Sequence, residues 1–175
     1  GDPAKNLASV YAENTVFHAM RFIGRRFSER VVQDELRMVP FSTVAGPEDQ
    51  VLIEVIFQRK VKRYTPEEVC TMLLVKMKDI AETYLGEEVK NAVITIPARM
   101  NLHQRQAMAM AAAHAGLNMI RLVHATSAVA LAFGRTLPEP EQNVLVVDIG
   151  GANCTVSLLT IDEEIFEVKA IAGYF

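Results

Sequence analysis

Residues 143–173 hold three β-prone runs, NVLVVDI, CTVSLLTI and IFEVKAIAG, joined by only a few residues each. A parallel crossover needs about a dozen residues, so these three runs are expected to pair as an antiparallel meander. Upstream the pattern differs. NAVITIP, LHQRQAMAMAAAHAG and NMIRLV read as buried strand, helix closed by Gly116, and second buried strand, with a short helix over SAVALAFG. That spacing implies a right-handed parallel unit. Both patterns in one chain make the fold class α/β. The Pro- and Glu-containing stretch RTLPEPEQ between them is the expected domain boundary, dividing residues 1–137 from 138–175. A three-stranded meander needs cover for its apolar face, and no helix follows it before Phe175. The second domain is therefore expected to be unfinished.

The first fifty residues are irregular. In NTVFHAMRFIGRRF, Val16, Met20 and Ile23 stand at helical spacing, predicting a short helix that ends at Gly24. PFSTVAGPED reads as loop, and VLIEVIF and KVKRY flank Gln58 and Arg59 as a hairpin. Thr65, Pro66 and Glu68 form a capping box at the start of a helix that Gly86 stops. Its apolar stripe, Val69, Leu73, Met77 and Ile80, is expected in the core.

Composition narrows the chemistry. Half of the 175 residues are hydrophobic, and the net charge is -3, without the basic footprint of a nucleic-acid binder. No apolar stretch is long enough to span a bilayer, so neither nucleic acid nor membrane is an expected partner. Cys70 and Cys154 lie too far apart for a CxxC metal site. They are expected as small buried hydrophobes in a reducing, cytoplasmic setting. His18, His103, His114 and His124 lack metal-ligand spacing, and His124 with Ser127 lacks the context of a nucleophile. RFIGRR followed by SER reads as solvated or salt-bridged surface, and Asp162, Glu163 and Glu164 as a turn.

One motif carries a ligand chemistry. Asp148 ends an apolar strand and is followed by Ile149, Gly150 and Gly151. Glycines let backbone N–H groups approach phosphate oxygens, and a carboxylate can organise a hydrated cation. The same residues also make an ordinary tight turn.

The surrounding sequence is more specific. NAVITIPARMNLHQRQAMAMAAAHAGLNMIRLVHATSAVALAFG, followed by NVLVVDIGGANCTVSLLTIDEEIFEVKAIAG, resembles the nucleotide-binding domain of the seventy-kilodalton heat-shock (DnaK-type) chaperones. NTVFHAMRFIGRRF and YTPEEVCTMLLVKMKDIAETYLG match that family in order and spacing, so the resemblance covers essentially the whole chain. It implies the actin-like, ribonuclease H-like ATPase architecture, with residues 1–137 as a partial first lobe and 138–175 as the start of the second. It implies ATP or ADP with magnesium as cofactor, with Asp148, Gly150, Gly151, Ala152 and Asn153 at the phosphates and Asp148 at the metal. J-domain co-chaperones, nucleotide-exchange factors and a full-length chaperone are the implied partners.

Departures from the family fall at its chemical positions. Met20 stands where the family has a lysine that supports phosphoryl transfer, and His18 replaces an aspartate two residues earlier. Ala125, within His124–Ser127, replaces the glutamate of an Asn-Glu-Pro-Thr segment. In the phosphate hairpin, Ala152 to Thr155 replace a glycine, threonine, phenylalanine and aspartate, so Thr155 removes a further carboxylate. Arg99, Met100 and Leu102 alter a segment tied to lobe communication, whereas Pro97, Asn101 and Arg105 are retained. A thioether or methyl group cannot steady developing negative charge as an ammonium can. The family's first phosphate loop has no counterpart in these residues. The expectation is a truncated, degenerate domain without ATPase activity, a pseudo-ATPase that acts by binding chaperones or co-chaperones. Two alternatives stand beside it: a piece of an ATP-hydrolysing chaperone completed by other segments, and a module that self-associates through exposed strands.

Overall fold

The computed structural model of the chain describes residues 1–134, 141–151, 153–163 and 165–174. Two units interleave along the sequence: one holds Gly1–Lys90 and Leu102–Asn118, the other Asn91–Asn101 and Met119–Phe175.

Unit 1 starts with helix α1 (Asp2–Leu7), 3-10 turns at Ala12–Asn14 and Ala19–Arg21, and helix α2 (Arg30–Leu36). The helix expected to reach Gly24 shrinks to the second of those turns. His18 is left-handed, with φ 56°, and a right-handed helix cannot run through it. The apolar spacing serves packing instead: Phe22 is buried with Val32, Phe41, Val51 and Ile53, and Val16 packs against them. Arg21 pairs with Glu35 at 3.8 Å and Arg25 with Glu29 at 3.2 Å, so this part of the basic cluster is salt-bridged.

Strands β1 (Ser42–Ala45), β2 (Val51–Phe57) and β3 (Lys60–Tyr64) form an antiparallel sheet in that order. β1 falls in a stretch expected as loop. Gly46 and Pro47 punctuate only its connection to β2, leaving Ser42–Ala45 free to pair with Val51–Glu54. The β2–β3 hairpin turns as expected on Gln58 and Arg59, whose φ values of 51° and 61° suit the natural strand twist. Beyond the end of β1, Asn14 substitutes for a neighbouring strand. Its amide nitrogen donates to the Ile56 carbonyl at 3.1 Å, and its amide oxygen accepts the Ile56 N–H at 2.7 Å.

Helix α3 (Pro66–Leu85) opens on the predicted capping box and closes on left-handed Gly86. The chain then supplies β4 (Asn91–Ile96) to unit 2 and returns as α4 (Leu102–His114), with Gly116 just beyond it at φ 71°. α3 turns Cys70 and Thr71 toward α4, and the Thr71 hydroxyl donates to the Ala111 carbonyl at 3.3 Å. The helix face that carries Cys70 and Thr71 is thus the packed one, and the predicted stripe lies roughly a third of a turn away. Val69 reaches the β2 cluster, but Leu73, Met77 and Ile80 are 57%, 66% and 57% exposed. The expectation of a buried stripe is corrected accordingly.

In unit 2, β4 and β5 (Asn118–His124) are neighbours in a two-stranded sheet. Neither is the fully buried strand expected: Val93 and Ile120 are exposed, and burial alternates along β4, so only one face of that strand is covered. Helix α5 (Ala125–Gly134) follows. The 137/138 boundary lies outside the described residues. Strands β6 (Glu141–Ile149), β7 (Cys154–Asp162) and β8 (Ile165–Tyr174) form the expected antiparallel meander, with a bulge at Leu158/Leu159. Glu163 turns between β7 and β8 with φ 50°, and Glu164 lies outside the described residues.

The expectation that the meander lacks a covering helix is corrected, because α5, which precedes the sheet in sequence, covers one of its faces. Ala130 packs with Val146 and Leu159, and Val144 and Phe166 flank that cluster. The opposite face presents Leu145, Val147 and Ile149 exposed. Cys154 begins β7 opposite Ile149 on this open face, so it is half-exposed rather than the buried hydrophobe expected; Cys70 is buried.

Candidate functional site

The alternation of β6 directs Val144, Val146 and Asp148 to the face that α5 covers. Asp148 pairs across the ladder with Thr155 and Ile149 with Cys154, so the loop runs from Gly150 to Asn153. The Gly150 N–H closes it by donating to the Asn153 carbonyl at 2.8 Å. Ala152 lies outside the described residues. A Cβ on Gly150 would lie 2.5 Å from the Asn153 side-chain oxygen, whereas one on Gly151 would meet nothing within 4 Å. Nothing in the described fold therefore requires the bare backbone of Gly151, which stays open to an approaching ligand.

α5 runs along the sheet from this end. The Thr126 and Ser157 hydroxyls share a buried hydrogen bond of 2.7 Å, and Ala130 meets Val146 and Leu159. At the other end, a Cβ on Gly134 would lie 2.7 Å from the Phe166 ring and 2.9 Å from Ile161. The helix N-terminus thus lies at the hairpin end of the meander, with its partial positive charge on the side of Asp148 and the glycines. Ala125, the first helical residue, contributes a methyl group there.

Thr155 faces Asp148 but is buried. β8 pairs tightly beside it: a Cβ on Gly173 would come 2.4 Å from the Cys154 carbonyl oxygen and 2.9 Å from the Thr155 Cα. Exposed Arg99, after β4, donates to the Gly173 carbonyl at 3.2 Å and ties its loop to the same strand.

Unit 2 therefore brings together Asp148, Gly150, Gly151, Asn153, Thr155 and the α5 start. Met20 belongs to unit 1, half-buried in the turn between left-handed His18 and buried Phe22. The Thr126–Ser157 pair is not among the sequence expectations. Its signal was a serine at an inward position of β7, since a buried hydroxyl needs a partner.

A helix N-terminus, an open glycine and one carboxylate suit a phosphate carrying a hydrated cation. Among the described residues, no three His, Cys, Asp or Glu side chains converge as a metal cage. A cation held here would take its remaining ligands from water and phosphate oxygens, which suits magnesium. A surface hollow in unit 1, lined by Glu82, Thr83, Gly86, Glu87 and Glu88, is acidic and suits no phosphate.

Comparison with known proteins agrees with the earlier resemblance. The sequence matches the family described as "Hsp70 protein" over residues 1–174. It is 48% identical over 174 residues to the Heat shock 70 kDa protein of Emericella nidulans, covering 99% of this chain and 27% of the relative. It is 47% identical over 176 residues to Heat shock 70 kDa protein 2 of Paracoccidioides lutzii, covering 99% and 26%. Heat shock cognate 70 kDa protein 3 of Dictyostelium discoideum is 45% identical over 177 residues, covering 99% and 28%. The chain thus spans about a quarter of the length of the curated relatives it matches.

Proposed function

The chain belongs to the Hsp70 family, with its actin-like α/β fold, and on that footing we propose a nucleotide-binding-domain segment that has lost phosphoryl transfer and acts by binding. The carrying observation is the chemistry at the hairpin end of unit 2. Asp148 and the open Gly151 are retained, yet the start of α5 offers Ala125 and the ladder partner of Asp148 is buried Thr155. Met20 adds a third position where an ionic group of the family is replaced by an uncharged one.

In this reading the backbone around Gly151 and Asn153 holds ATP or ADP by its phosphates, and Asp148 orients water on the accompanying magnesium. When bound, the metal supplies charge neutralisation at the phosphate oxygens. With a thioether, a methyl group and a buried hydroxyl at the replaced positions, no described side chain there can stabilise the transferring phosphoryl group. Co-chaperones and a full-length chaperone are the proposed partners. A reducing, cytoplasmic setting belongs to the same reading, supported by the free thiols of Cys70 and Cys154.

A single-turnover ATP hydrolysis assay tests this reading. Hydrolysis no faster than the uncatalysed background is expected, and a rate like that of an intact chaperone ATPase domain refutes it. A second reading, part of a working ATPase, is favoured by the retained Asp148 and open Gly151. Both readings place magnesium nucleotide at Asp148, so the hydrolysis assay separates them: turnover that Asp148→Ala abolishes supports the second. The exposed Leu145, Val147 and Ile149 favour a self-associating module, which a strictly monomeric mass by light scattering excludes.

A further inference from the structure

β3 is an edge strand of the unit 1 sheet, and its ladder with β2 runs from Tyr64 to Lys60 without a bulge. The Asn14 amide engages both the N–H and the carbonyl of Ile56, on the side away from β3. Ile56 and its ladder partner Val61 therefore form a non-hydrogen-bonded pair. It follows that the Val61 N–H and carbonyl face the open edge, and by the two-residue repeat those of Arg63 do too.

We propose that this edge takes up an extended acidic peptide as an added strand, with acidic side chains opposite Lys60 and Lys62 and an apolar one between them, opposite Val61. Lys60 and Lys62 share one face, and among the described residues neither they nor Arg59 has a carboxylate within ion-pair distance. Arg63 is already paired with Glu54 at 2.9 Å. On the other face, Val61 and Ile56 are 63% and 58% exposed and adjacent across the ladder, an apolar seat for the middle side chain. Edge lysines ordinarily repel added strands, and here neither a proline nor a bulge assists them. An acidic strand converts that repulsion into attraction and gains the backbone hydrogen bonds of Val61 and Arg63. A second copy of this edge would set lysines against lysines and is disfavoured. The surface belongs to unit 1 and does not depend on the reading of the phosphate hairpin.

The test is fluorescence anisotropy of the full chain with a short dye-labelled peptide of alternating glutamate and valine. A same-composition peptide with its glutamates in one block and a single-stranded oligonucleotide serve as comparisons. The alternating peptide should bind most tightly, and Lys60→Gln with Lys62→Gln should weaken it by roughly 2- to 30-fold. Val61→Pro removes a donor that the β2–β3 ladder does not use, and should weaken binding by about tenfold while leaving the circular dichroism unchanged. If that variant misfolds, hydrogen exchange on the unaltered chain decides: the Val61 and Arg63 amides should become protected when peptide is added. Equal binding of the blocked peptide or the oligonucleotide overturns the proposal, as does an absence of binding or of amide protection.

Discussion

Replacing Ser157 by alanine probes the contact that sets α5 on the meander. Thr126 is 1% exposed and Ser157 is fully buried, and their hydroxyls share a hydrogen bond of 2.7 Å. Ser157→Ala leaves the Thr126 hydroxyl buried without that partner and should cost about 1–3 kcal/mol. Thr126→Val, which keeps the side-chain shape, should cost a similar amount by stranding Ser157. The double variant removes both polar groups together, and its cost should fall well below the sum, leaving a coupling of about 1–2 kcal/mol. Urea unfolding of the four proteins, followed by circular dichroism at constant m-value, closes the cycle. Additivity within about 0.5 kcal/mol would refute the reasoning, because the two hydroxyls would then be satisfied independently.

Other expectations are equally direct. Thr65→Ala removes the side-chain cap of α3 and should lower stability by about 1 kcal/mol in the same urea assay, since the Glu68 N–H loses its acceptor. Gly173→Ala should cost about 1–3 kcal/mol because its methyl group meets the β7 backbone, whereas Gly151→Ala, with open space around it, should stay within about 0.5 kcal/mol; thermal melts compare them. Burial, aided by the charge of Glu67, pushes the Cys70 thiol up from 9.0 to about 11. The folded value lies above the unfolded one, so this group's stabilising contribution is whole below pH 9.0 and is lost as pH rises through about 11; urea midpoints across that range check it. At pH 8 iodoacetamide should modify half-exposed Cys154 well before Cys70.

Local chemistry was the most legible part of the fold. The Thr65–Glu68 box, the Gln58–Arg59 turn and the short connections of the meander each depend on residues close in sequence. The apolar stripe of α3 shows why periodicity alone was insufficient. Spacing identifies an apolar face, but which face is packed depends on distant partners: Thr71 meets Ala111, forty residues away. β1 was hidden because a four-residue strand flanked by glycine and proline carries too little pattern to separate from a loop. At the site, the Asp148–Gly–Gly bend was readable, whereas the burial of Thr155 depends on the pairing of β7 between β6 and β8. The helix over the meander is not legible from the residues that follow the sheet, because α5 precedes it in sequence.

The interleaving of the two units has a consequence for synthesis. As the chain leaves the ribosome, β4 emerges before α4, so the first strand of unit 2 is exposed while unit 1 still lacks a helix. The second segment of unit 1 ends at Asn118, and α5 must then wait for Ser157 before Thr126 finds its partner. A ribosomal pause between residues 101 and 102 would hold α4 back from unit 1, whereas one just after Asn118 would leave both Gly1–Lys90 and Leu102–Asn118 synthesised.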